Sequence, residues 1–89
     1  MFIQTHPLDD PVLMKFTPGE LVLPVGTAPV GEADAADNSP LARRLLRIEG
    51  IEAVALSLDD ITLRRAAANE WYILKPAVLG AIMEHYGSG

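Results

Sequence analysis

The chain has 89 residues, which is one small domain and no more. Its hydrophobic fraction of 49% supplies a core and argues against disorder, while seven Lys and Arg against twelve Asp and Glu leave a net charge of −5 that phosphate backbones repel. Cysteine is absent, which excludes a disulfide, a thiolate nucleophile and any cysteine-held metal or cluster within these residues.

No apolar run approaches the ~18–20 residues that span a bilayer. The start, Met1-Phe2-Ile3-Gln4, has neither the basic segment nor the apolar segment of a secretory signal, and it lacks the Arg/Ser-rich character of a transit peptide. The expected compartment is cytoplasmic, with no membrane and no nucleic acid among the partners.

Met1 to Thr5 reads as a short strand, with Phe2 and Gln4 on one face and Ile3 and Thr5 on the other. Residues 6–11, HPLDDP, form a loop, because proline fixes φ and aspartate bonds its own local backbone. Val12 to Thr17 is a second strand whose Val12, Met14 and Phe16 turn toward the core. Thr17-Pro18-Gly19-Glu20 carries proline and glycine at the two central positions of a tight turn. Leu21-Val22-Leu23 is either an edge strand or a buried extended segment. Val25 to Asn38 shows no periodicity and reads as an exposed, mobile loop, with Glu32, Asp34 and Asp37 solvated.

Ser39 is a natural N-cap and Pro40 a natural first helical residue, since the first N–H has no partner to lose. Leu41, Leu45 and Ile48 then define a buried stripe, widened by Ala42 and Leu46 and closed by Gly50. Ile51 to Leu58 alternates as a strand with Val54, Leu56 and Leu58 on one face and Ala53, Ala55 and Ser57 on the other. Asp59-Asp60 turns the chain, and Ile61, Leu63 and Arg65 alternate with Thr62 and Arg64 in a further strand. Asn69 is the expected N-cap of a last helix whose face carries Leu74, Val78, Ala81, Ile82 and His85. Pro76 predicts a kink or restart there, because an interior proline removes a bond and clashes with the preceding turn at a cost of ~3 kcal/mol. Gly87-Ser88-Gly89 is linker-like. The fold class is α+β: a two-layer arrangement of an antiparallel sheet of three to five strands with two helices on one face, in the order ββ(β)αββα.

The chemistry-bearing residues are few. Asp59 and Asp60 are adjacent in a turn, whereas acid/base pairs face each other across a cleft in different environments, so the structural reading is favoured. His6 and His85 stand at opposite ends of the chain with no metal-pair spacing, and His85 reads as a helix-end or core-edge residue. Trp71 reads as a core anchor. Arg43, Arg44 and Arg47, with Arg64 and Arg65 as further candidates, are either a solvated face or a basic docking surface for an acidic partner. No P-loop, dinucleotide fingerprint, nucleophile elbow or zinc-protease motif occurs, so the chain is not expected to be an enzyme.

Several short motifs fall in a consistent order. Residues 1–5 (MFIQT), 14–19 (MKFTPG), 22–26 (VLPVG), Ser39-Pro40-Leu41-Ala42, Ile48-Glu49-Gly50-Ile51, Asp60-Ile61-Thr62-Leu63, Trp71, Leu74-Lys75-Pro76 and 82–86 (IMEHY) together resemble the N-terminal domain of Nfu-type (NifU-like) iron–sulfur cluster scaffold proteins. The resemblance covers essentially the whole chain. It implies that residues 1–86 form that domain and that residues 87–89 begin a linker to a C-terminal cluster-binding domain. It further implies that a [4Fe–4S] cluster is held there by a CxxC motif, with no cofactor in this chain. The implied role is an accessory interaction domain that helps deliver clusters to iron–sulfur client or assembly proteins. A free-standing small-ligand or regulatory module is the alternative, and a compact apolar pocket with converging polar groups would mark it.

Overall fold

Two hairpins interlock to make the sheet. In the computed structural model, which describes residues 1–87, β1 (Gln4–Pro7) and β2 (Leu13–Thr17) form the first hairpin, and β3 (Ile51–Leu56) and β4 (Ile61–Arg65) the second. The strands lie in the order β1-β2-β4-β3, every neighbouring pair antiparallel. Between the hairpins run α1 (Ala35–Asn38) and α2 (Pro40–Leu46), and α3 (Trp71–Gly87) follows β4. The α+β class and the ββαββα order are as expected, with the one-turn α1 added. Ser88 and Gly89, expected as linker, lie outside the described residues, and Gly87 is the last residue of α3.

Direct cross-strand partners share a face. Met14 opposite Leu63, Phe16 opposite Ile61, Val54 opposite Leu63 and Leu56 opposite Ile61 make one apolar surface, and all of them are buried. Leu41, Ala42 and Leu45 of α2 and Leu74, Val78 and Ile82 of α3 complete the core on that side. The other face of the sheet carries Gln4, His6, Leu13, Lys15, Thr17, Ala53, Ala55, Thr62 and Arg64.

Several element boundaries differ from the sequence reading. β1 begins later and runs through His6-Pro7; as an edge strand it leaves Pro7 no ladder bond to miss. Asp10 closes the β1–β2 loop, its carboxylate accepting from Val12 N at 3.2 Å and its carbonyl from Leu13 N at 2.9 Å. Leu21–Leu23 is neither a strand nor a buried segment as a whole: Leu21 is exposed, Leu23 is buried, and the chain bends with Val22 N bonded to the Leu58 carbonyl at 2.7 Å. Gly19 takes φ +81°, which the Pro-Gly turn requires. β3 stops at Leu56, so Leu58 is exposed in the turn instead of buried. A bulge between Ile51 and Ala53 leaves Glu52 outside and returns Ile51 to the core side, a shift that strict alternation cannot anticipate.

Residues 25–38 are mostly exposed but are not the mobile loop expected. Val30 exchanges both backbone bonds with Leu56 at 2.8 Å, Ala35 of α1 is fully buried, and Glu32 pairs with Arg64 at 3.1 Å. One backbone bridge, one ion pair and one buried methyl hold this segment, and none of them makes a periodic pattern.

Candidate functional site

α2 starts as its sequence dictates. Ser39 Oγ accepts from Ala42 N at 3.1 Å, Pro40 opens the first turn, and the helix ends at Leu46. Arg47 N reaches the Arg44 carbonyl and Ile48 N the Leu45 carbonyl, so the last turn tightens before Gly50, whose φ is +100°. With Leu41, Ala42 and Leu45 buried, the helical period forces Pro40, Arg43, Arg44 and Arg47 onto the opposite, open side.

α3 is one continuous helix rather than a kinked or restarted one, with Pro76 inside it. Pro76 removes the usual donor to the Tyr72 carbonyl, and both residues are exposed, where a lost helix bond is least costly. The first intrahelical bond, Leu74 N to the Glu70 carbonyl at 3.1 Å, makes Glu70 the residue that caps the start, not Asn69. The Asn69 side chain instead packs against Gly50.

The two helices meet so that Pro40, Arg43, Arg44, Arg47 and His85 line one shallow cleft of ≈ 320 Å³. Arg43 donates from Nη1 to the Ala36 carbonyl at 2.6 Å, fastening α1 to α2. Arg44 Nη2 lies 3.6 Å from Glu84 Oε1, an exposed pair of little energetic weight. The Arg47 side chain has no hydrogen bond or ion pair among the described residues. Two guanidinium groups of α2 and a third at its C-cap, Arg47, thus stand beside the single carboxylate of Glu84, on a chain that is acidic overall. Guanidinium donors present a planar fork whose geometry matches that of a carboxylate.

The remaining sequence candidates do not join it. Arg64 stands on the open sheet face paired with Glu32. Arg65 points inward: its Nη1 donates to the carbonyls of Ala66, Ala67 and Asn69 at 3.0–3.2 Å, and it holds the β4–α3 loop. Neither is part of a docking patch with Arg43, Arg44 and Arg47. Asp60 accepts from Ser57 Oγ at 2.8 Å and is a turn residue. Trp71 is half-buried at the core edge, its ring 6.2 Å from that of Phe16 and its Nε1 bonded to the Pro11 carbonyl at 3.0 Å. His85 is the residue the sequence reading left out of the cleft. Nothing in its own helix marks it, because its place depends on how α3 crosses α2.

A second hollow of ≈ 380 Å³, lined by Pro29, Val30, Gly31, Ala55, Leu56, Ser57, Asp60 and Thr62, lies at the outer edge of β3. It is open and brings together one ionisable group.

The chain is a small two-layer α+β domain with a basic helical cleft and no thiol, and residues 3–89 match the family model "Scaffold protein Nfu/NifU N terminal". The chain belongs to the Nfu/NifU N-terminal family. It is 42% identical over 90 residues to "NFU1 iron-sulfur cluster scaffold homolog, mitochondrial" of Drosophila persimilis, covering 100% of this chain and 32% of that protein. It is 41% identical to the protein of the same description in Homo sapiens, covering 100% of this chain and 35% of that one. The chain therefore spans about a third of the length of these relatives. Two solved structures share the fold. The NifU-like protein from Saccharomyces cerevisiae has a TM-score of 0.80 at 20% identity, over 99% of this chain and 80% of that one. Protein SAV1430 from Staphylococcus aureus has a TM-score of 0.72 at 18% identity, over 92% and 99%.

The relatives are named for an iron–sulfur cluster, and the residues of this chain do not fit one. The sequence has no cysteine, and no group of three or more potential metal ligands occurs among the described residues. No helix among those residues is long and apolar enough to cross a membrane.

Proposed function

We propose that this chain is the accessory interaction domain of an iron–sulfur cluster scaffold, helping cluster delivery by docking acidic surfaces of client or assembly proteins. The observation that carries the reading is the convergence of Arg43, Arg44, Arg47 and His85 on one cleft in a family member without cysteine. The cluster itself, a [4Fe–4S] group on this reading, belongs to a cysteine-bearing domain elsewhere in the carrier. The role is non-catalytic and is placed in a soluble compartment; the sequence reading gives the cytoplasm, while the fly and human relatives are named as mitochondrial. The basic cleft and the hollow at the edge of β3 are both open, which gives the alternative small-ligand module no support.

The test is capture by the immobilised chain of purified iron–sulfur assembly and client proteins. Replacing Arg43, Arg44 and Arg47 with Glu abolishes capture if the cleft is the docking site. Capture that survives the triple reversal defeats the assignment.

A further inference from the structure

The outer face of α3 is apolar over three turns. Tyr72, Ile73 and Met83 are 75%, 61% and 46% exposed, and Pro76, Ala77 and Gly80 lie between them. Lys75 and Glu84 are the only charged residues of the helix apart from His85, and Lys75 is half-buried toward its other side. A surface helix ordinarily presents charge to water, so a face like this is unsatisfied by solvent alone. From Tyr72 to Met83 the face runs about 17 Å, at about 1.5 Å per residue.

This face runs into the basic cleft. Ala77, Gly80 and Glu84 follow at i, i+3 and i+7 on one side of α3: the first two belong to the apolar face, and Glu84 pairs with Arg44 of the cleft. We propose that face and cleft form one continuous groove-side surface for an amphipathic helical segment of a partner protein. That segment is about three turns long, apolar at i, i+3 or i+4 and i+7 along α3, and carries carboxylates where it reaches Arg44 and Arg47. The inference rests on the docking role proposed above and specifies its partner. Charge decides against a second copy of this chain as the occupant. The only carboxylate of α3, Glu84, is already engaged by Arg44, and about six exposed side chains fall well short of the roughly 20–30 residues a side of a standard interface.

The test is selection of a phage-displayed library of random 16-residue peptides on the protein, with Ile73→Glu, Met83→Glu and the double variant Arg44→Glu/Arg47→Glu as parallel baits. All three alter exposed side chains, and unchanged melting temperatures confirm that the baits are folded. The expected result is enrichment of peptides with apolar residues at helical spacing beside clustered Glu and Asp. Synthetic copies of these should lose at least ~10-fold in affinity on Ile73→Glu, on Met83→Glu and on the arginine variant alike. Absence of enrichment, or enrichment of basic peptides, overturns the proposal. Acidic peptides that ignore Ile73→Glu and Met83→Glu also overturn it, while leaving docking at the arginines intact. Self-association of the protein that disappears in Ile73→Glu overturns it in favour of a second copy.

Discussion

Arg65 places a guanidinium where only 9% of the residue is exposed, and it is kept there by the loop it organises. Three backbone carbonyls accept from its Nη1, Glu70 lies 3.9 Å from Nη2, and its Nε is buried without a partner. Removing the donor strands the carbonyls, so Arg65→Met should lower stability by about 2–3 kcal/mol, read as a lower urea midpoint. Lysine keeps the charge but not the fork, and Arg65→Lys should recover only part of that loss. Gly50 is a second such position. Its φ of +100° is reached there without a side chain, and an added Cβ would sit 2.8 Å from Asn69 Cγ. Gly50→Ala should cost more than about 1–2 kcal/mol. In an Asn69→Ala background the clash eases while the backbone strain persists, so a double-mutant cycle separates the two. Tyr86 supplies the pH dependence. Burial and then the nearby Glu20 carboxylate raise its phenol above its ordinary 10.0, and its hydroxyl donates to the Leu21 carbonyl at 3.4 Å. The folded state therefore holds this proton longer than the unfolded state. The contribution is complete below pH 10 and is lost as pH rises through the folded value. Denaturant midpoints measured above pH 10 should fall more steeply for the native chain than for Tyr86→Phe.

At the scale of elements, α3 contains the clearest anomaly. Pro76 lies in its interior, yet the helix continues, with Pro76 and Tyr72, the residue whose carbonyl it leaves without a donor, both exposed. Pro76→Ala restores a donor on an exposed face and should stabilise the chain by on the order of 1 kcal/mol, a rise of several degrees in melting temperature. A fall in melting temperature would mean that the ring itself packs against something. The elements were readable in the sequence where a local rule set them. Ser39-Pro40 began α2, the alternation of Met14 with Phe16 and of Ile61 with Leu63 gave the central strands, and Pro18-Gly19 turned the chain. They were unreadable where the cause was remote. The Ile51/Ala53 bulge answers to the register of β4, the 25–38 segment is held by a bridge to Leu56 and the Ala35 methyl, and α3 ignores its proline because of which side is wet. The candidate site was half legible for the same reason. Arg43, Arg44 and Arg47 share a helix face by spacing alone, whereas His85 joins them, and Arg64 and Arg65 part from them, through tertiary packing.

Over the whole molecule, the relevant quantity is the contrast between a net charge of −5 and a local cluster of three arginines and a histidine. On the proposed docking role, an acidic partner is repelled by most of this surface and admitted at one place, which would give orientation as well as attraction. On the proposed role, a chain without thiols acts through such contacts and not by ligating a cluster. Anaerobic reconstitution of the chain with ferrous iron and sulfide should therefore leave no brown chromophore after desalting; a stable one would contradict the division of labour proposed. The most direct measurement is the affinity of the native chain for a purified iron–sulfur client at low and at near-physiological salt, beside Arg43→Glu/Arg44→Glu/Arg47→Glu. The account predicts binding that weakens with salt and falls at least ~10-fold in the triple variant, about 1.4 kcal/mol or more. An affinity indifferent both to salt and to the reversed charges would contradict it.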